Sequence, residues 1–202
     1  MKKLFLFFVI CLATLAAQPV NDGYQVGDFV PDFKLKNVDG KMISLADFKN
    51  AKGFIIIFDC NTCPMSRAYN SRIIALNKKF TSQGFPVVLI NPNSAELVPE
   101  ESFEEMKIHA KKHGYDFPYL YDESQNVVRK FNPTNTPHTF VLNKTPGGLQ
   151  VAYIGAIDNN SRDGSRADKH FVEAAVNELL LGKSVTVTKT KAIGCTVKLK
   201  NS

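Results

Sequence analysis

Hydrophobic and polar positions follow two different periods along the first half of this chain. Across residues 26–50 the period is short. Phe33 and Leu35 alternate with polar neighbours and Asp39-Gly40 supplies a turn, which predicts a β-hairpin. Residues 53–58 (GFIIIF) are continuously apolar, as expected of a central parallel strand buried on both faces. The period then lengthens. Met65, Ala68, Tyr69, Arg72, Ile73, Leu76 and Phe80 recur at helical spacing, with Arg72 the one polar residue on that face. Pro64 suits the first turn of this helix, where its missing N–H costs nothing, and the helix is expected to end before Gly84. A second apolar strand follows at residues 85–91 (FPVVLIN). Strand, helix and strand in that length make a right-handed βαβ crossover.

The second half repeats these signals more briefly. Residues 99–114 (PEESFEEMKIHAKKHG) read as a helix with acids at its start and bases at its end, which suits the helix dipole. A short strand (FPYLYD) and a short helix (ESQNVVRKFN) come next. TPHTFVLNKTPGGLQVAYIGAID reads as two antiparallel strands joined at Pro146-Gly147-Gly148. The last helix places Phe171, Ala174, Ala175, Leu179 and Leu180 on one face. Residues 183–202 form a basic tail without a single acid. The expected architecture is α/β, a mixed sheet with flanking helices, an N-terminal hairpin and a helical insertion near residues 99–114.

Length and composition add bounds. The chain has 202 residues and 44% apolar content, enough for one full core. The N-terminus, MKKLFLFFVICLATLAAQPV, has the layout of a secretory signal peptide over residues 1–17: two lysines, a short apolar stretch, then small residues at Ala16 and Ala17. The stretch is short for a membrane anchor; a tether is expected only if it is not cleaved. The expected location is therefore exported, periplasmic or extracytoplasmic, with residues 18–182 as the domain. Without Lys2 and Lys3 the chain keeps 23 basic and 19 acidic residues, a net charge of +4. That is ordinary solubility charge, with no basic block that would argue for nucleic acid.

Cys11 is expected to leave with the leader, so that Cys60, Cys63 and Cys195 remain. Three cysteines are too few for a disulfide-stapled scaffold. Cys60 and Cys63 lie where a buried strand meets a helix N-terminus, and unpaired N–H groups and the helix dipole favour a thiolate there. A second thiol one helical turn away can resolve a mixed disulfide formed by the first. The spacing suits a dithiol/disulfide switch, with Cys60 as attacker and Cys63 as resolver. Zinc would want four ligands; His138 and Cys195 could complete the set, but their spacing matches no zinc motif, and no metal is expected. Buried, inert cysteines fit poorly with Asp59, Asn61 and Thr62 around them.

The segments GDFVPDFKLKNVDGKMISLADFKN, FDCNTCP and TPHTFVL together resemble the thioredoxin-fold redoxin superfamily over nearly all of residues 26–182, in particular its peroxiredoxin-like, AhpC/TSA-related branch. The Asp59–Pro64 segment, the GAID at 155–158 and the Gly194-Cys195 tail resemble one peroxiredoxin-like group of thiol-disulfide oxidoreductases within it. The resemblance implies that Thr136-Pro137 is a cis peptide facing the cysteines and that the Thr136 backbone pairs with an incoming substrate strand. It implies a thiol-disulfide oxidoreductase acting on protein or small-molecule thiols and disulfides, served by an upstream redox partner and no organic cofactor. Two alternatives stay open: a thiol peroxidase, and a non-catalytic binding domain. Against the peroxidase, the Pro-x-x-x-Thr-x-x-Cys pattern of peroxiredoxins is missing: counting back from Cys63 gives Cys60 and Ile56, and from Cys60 gives Ile57 and Gly53. Asp59 departs from the Trp that precedes the first cysteine in thioredoxins, and its charge opposes a thiolate at Cys60.

Cys195 has two readings, a third redox thiol or a packed tail residue. His109 and His113 share a helical face and are expected to be solvated. DNNSRDGS, from Asp158, resembles a calcium loop but has His170 at position twelve from Asn159, so it reads as a turn. His138 could tune a thiol or face water.

Overall fold

The structure, a computed structural model, describes residues 22–200; the expected signal peptide and Cys11 lie outside the described residues. The chain forms β1 (Phe29–Val30), β2 (Lys34–Asn37), β3 (Met42–Ser44), β4 (Gly53–Phe58), α1 (Pro64–Phe80), β5 (Val87–Asn91), α2 (Phe103–His113) and β6 (Tyr119–Tyr121). It continues with α3 (Asn126–Phe131), β7 (Asn135–Thr136), β8 (His138–Thr145), β9 (Gly148–Gly155), α4 (Phe171–Leu180) and β10 (Cys195–Thr196).

An eight-stranded sheet runs β1-β9-β8-β4-β5-β6-β2-β3. β4, β5 and β6 are parallel, and the strands outside them are antiparallel. Alternation along β4 divides the core. Ile55 and Ile57 point to the face covered by α1, α2 and α4, through Ile73, Leu76, Met106, Val172 and Val176. Phe54, Ile56 and Phe58 point to the other face, against Val127, Val128 and Phe131 of α3. Burying each such side chain contributes about 1.5–3 kcal/mol. The sheet is thus fixed from both sides, and the end of β4 is held firmly where the two cysteines begin.

Several predicted elements take a form set by longer-range contacts. Arg72, the polar residue on the apolar face of α1, lies over the Tyr69 ring and bonds Asp158 at 2.6 Å and the Asn160 carbonyl at 2.7 Å. The loop that resembles a calcium site is therefore anchored by a guanidinium and by Tyr69, whose hydroxyl donates to Asp158. The helix expected from residue 99 is broken in two. Pro99–Glu101 is a single 3-10 turn, Ser102 is extended, and α2 starts at Phe103.

Residues 183–200 do not extend away from the domain. Thr188 and Thr190 straddle Ile154 of β9 through backbone hydrogen bonds of 3.0 Å. The Thr190 hydroxyl accepts from the Ala156 N–H at 2.9 Å and contacts the Tyr153 hydroxyl. Gly155, the glycine of GAID, lies under this contact; a Cβ there would collide with the Thr190 side chain and backbone. Further on, β10 pairs antiparallel with β7, and the Lys198 backbone bonds Ser94 and Asn93. Among the described residues, no helix is long and apolar enough to cross a membrane.

Candidate active site

β4 delivers the chain to Asp59, whose N–H still bonds Ile90 of β5 at 3.0 Å, and the chain then turns through Cys60, Asn61, Thr62 and Cys63 into α1. Cys60 is the deeper thiol and is only 1% exposed. Its Sγ lies 3.0 Å from the Thr136 hydroxyl and 3.6 Å from the Ser66 hydroxyl. Burial, with the Asp59 and Glu101 carboxyls adding to it, pushes the Cys60 thiol up to about 11. The sequence predicted the reverse, an accessible thiolate favoured by the N–H groups of the turn.

Burial is the largest cause of the difference, the Asp59 carboxyl comes next, and the third contributor is Glu101. Its fully buried side chain accepts from the Asn61 N–H at 2.8 Å, the Thr62 N–H at 3.0 Å, the Thr62 hydroxyl, and the Asn91 side-chain amide at 2.8 Å. A carboxylate thus occupies the donors that a Cys60 thiolate would have used, and it places a like charge nearby. The extended Ser102 lets Glu101 reach the turn while α2 runs elsewhere. Asn61 is fixed further by its amide donating to the Glu100 carbonyl and by the Tyr119 hydroxyl donating to it, each at 2.9 Å.

Asp59 is 1% exposed, and among the described residues its Oδ1 has no hydrogen-bond partner. Burial pushes its carboxyl up to about 7, against the lowering effect of hydrogen bonds from Ser66 and the Cys60 backbone. Ser66 therefore touches both the Cys60 sulfur and the Asp59 carboxyl.

Cys63 is the N-cap of α1 and is bonded to Cys195, across a separation of 132 residues and with 6.0 Å between the Cα atoms. Among the described residues, Cys60 is the free thiol. The disulfide present is therefore Cys63–Cys195, where the sequence predicted Cys60–Cys63. Thr136 and Pro137 lie against both sulfurs. The Thr136–Pro137 peptide is cis, the Thr136 hydroxyl contacts Cys60, and its carbonyl oxygen is 3.5 Å from the Cys63 sulfur. The expected substrate edge is filled by the tail: Cys195 pairs with Thr136 and Thr196 with Asn135. The Asn135 side-chain amide also donates to the Gly194 carbonyl at 2.9 Å.

The histidines lie elsewhere. Nδ1 of His138 accepts from the Thr134 N–H at 3.2 Å, and burial holds its ring down to about 4. His109 is not on a solvated face. It packs on His113 and Tyr115, and burial lowers it to about 4. Sequence reasoning missed Glu101, Asn91 and Ser66. Glu101 was one of four acids credited only to the dipole of a predicted helix, and no spacing rule singles it out.

The fold and the sequence are shared with known proteins. The chain is 34% identical to an uncharacterized conserved protein from Geobacillus kaustophilus, with a TM-score of 0.81 over 90% of this chain and 95% of that one. A thiol:disulfide interchange protein of the thioredoxin family from Chlorobium tepidum shares the fold at 24% identity, with a TM-score of 0.57 over 78% of this chain and 99% of that one. The thiol-disulfide oxidoreductase ResA of Bacillus subtilis is 27% identical over 128 residues, which are 63% of this chain and 66% of that protein. The AhpC/TSA family profile matches residues 26–148, more than half of the chain. With its thioredoxin-like sheet and two cysteines at the β4–α1 junction, this chain belongs to the AhpC/TSA family.

Proposed function

We propose that the chain is a thiol-disulfide oxidoreductase in which three cysteines pass one disulfide between them. The observation that carries this reading is the Cys63–Cys195 disulfide beside the free thiol of Cys60, on a strand seated next to Thr136-Pro137. Cys63, at the positive end of the 17-residue helix α1, is the sulfur that meets a partner cysteine. Cys60 is the internal resolver. Its thiolate attacks the Cys63 sulfur, the Cys60–Cys63 bond forms, and Cys195 leaves with the electron pair as a thiolate. The proton given up by Cys60 has a short route through the Ser66 hydroxyl to the Asp59 carboxylate. Departure of Cys195 frees the β7 edge for a protein substrate. An upstream thiol or disulfide partner resets the pair, and the direction follows the relative potentials of the two.

The expected leader and the Cys63–Cys195 disulfide support a location outside the cytoplasm. The named activities of the ResA and Chlorobium tepidum proteins support the same reaction class. The test is the equilibrium of the native chain with dithiothreitol, in wild type and in Cys195→Ala. The reading expects reduction without unfolding, and a changed reduction potential in the variant, where Cys60–Cys63 becomes the available disulfide. One observation favours a second reading: the disulfide joins a buried Cys63 to Cys195 and ties the tail to the domain, as a structural staple would. Resistance of the folded chain to dithiothreitol would select it.

A further inference from the structure

The tail strand is a polypeptide cysteine already seated at the site, and its immediate neighbours show what the site tolerates. In the pairing of Cys195 with Thr136, the residue before the cysteine lies over the Thr136–Pro137 peptide. That residue is Gly194. A Cβ built there would overlap the Thr136 carbonyl oxygen, and it would stand 2.7 Å from the carbonyl carbon and 3.4 Å from the Pro137 nitrogen. These are main-chain atoms between β7 and β8, so no side-chain rotation relieves the overlap. The Asn135 amide meanwhile holds the Gly194 carbonyl and fixes the register. The flanking positions are unrestrictive: Ile193 is 55% exposed and Thr196 is exposed.

Resting on the exchange reading above, we propose that the Asn135-Thr136 edge is specific for extended polypeptide segments whose reacting cysteine is preceded by glycine, with Gly194-Cys195 as the resident occupant. In the reducing direction the Cys63 thiolate attacks the sulfur of such a cysteine in a substrate disulfide. The Cys63–substrate bond forms, and the other substrate sulfur leaves as a thiolate and takes a proton from water. The Cys60 thiolate then attacks Cys63, the Cys60–Cys63 disulfide forms, and the glycine-linked cysteine leaves as a thiolate and is protonated. The substrate disulfide gains two electrons, and the Cys60/Cys63 dithiol loses two. A dithiol reductant restores the enzyme.

The test uses the full chain carrying Cys195→Ala, reduced and freed of reductant. It is mixed with the peptide AIGCTV or AIACTV, each bearing thionitrobenzoate on its cysteine, and release of the coloured thiol is followed. The glycine peptide is expected to react at least about tenfold faster than the alanine peptide, a difference that free dithiothreitol does not show. Equal rates for the two, both far above those of free cysteine, would overturn the glycine requirement and leave the exchange reading standing. Rates no higher than those of free cysteine for both would overturn the exchange reading, and the proposal with it. An independent check is Gly194→Ala in the otherwise unaltered chain. Under native oxidation its Cys63–Cys195 bond is expected to form at least about tenfold less readily. Closure as ready as in wild type would also overturn the glycine requirement.

Discussion

Two residues separate Cys60 from Cys63, yet the two sulfurs occupy opposite surroundings. Cys60 sits at the end of β4 among carboxyls, with the N–H groups of the turn already taken by Glu101. Cys63 caps α1, faces a neighbouring strand, and carries the disulfide. A helix N-terminus acts on the group its free donors reach, and here burial and two carboxyls, one of them from another element, weigh against Cys60.

The largest expected effect comes from exchanging the two positions. Cys63→Ala should abolish both the tail disulfide and turnover with peptide disulfides. Cys60→Ala should retain the Cys63–Cys195 bond in the resting chain, and with Cys195→Ala added it should stop after one exchange, with the partner trapped on Cys63. Disulfide mapping by mass spectrometry separates the two outcomes; trapping on Cys60 in the Cys63 variant would reverse the assignment.

The carboxyls give the next largest effects. For Asp59 the sign is set by its raised value: the native state favours the neutral acid, so its contribution to stability is fully present below the unfolded value and is lost as pH rises through about 7. Asp59→Asn should flatten the fall in stability between mildly acidic and alkaline pH by a few kcal/mol, measured by denaturant unfolding across that range. His138 contributes with the opposite sign. Its lowered value makes stability present above the unfolded value and lost as pH falls toward about 4. Glu101→Gln removes the charge beside Cys60 and leaves one oxygen to accept. It should lower the Cys60 thiol, read from the pH dependence of its alkylation after tail release, at a stability cost of about 1–3 kcal/mol. A Cys60 thiol unmoved by this change would detach Glu101 from the contrast between the two cysteines.

The smallest effect is at the tail anchor. Thr190→Val loses the hydroxyl that accepts from Ala156, worth about 1 kcal/mol, and should weaken closure of Cys63–Cys195 by about fivefold in glutathione buffers. An unchanged equilibrium would mean that β10 alone seats the tail.

What the sequence made legible was local. The run in β4, the helical spacing after Pro64 and the hairpin of β8 and β9 all follow from side-chain period and turn chemistry, and each is present. Arg72 on an apolar face was visible as an exception, but its partner Asp158 lies 86 residues away. The contacts that distribute reactivity between the cysteines have the same character. Glu101 reaches Asn61 across 40 residues, and Cys195 reaches Cys63 across 132. Local pattern carries no signal for such pairs. The GAID and Gly-Cys segments were legible as a resemblance, while their physical reason, two glycines over which the chain packs closely, required the placement of the tail.

The most direct test is to hold the native oxidised chain at rising pH with iodoacetamide and no reductant, then map every sulfur. If Cys60 is the internal resolver, the alkyl group lands on Cys195 and leaves a Cys60–Cys63 disulfide. The rate should rise with pH, and the reaction should vanish in Cys60→Ala. Alkylation of Cys60 with Cys63–Cys195 intact would contradict the account.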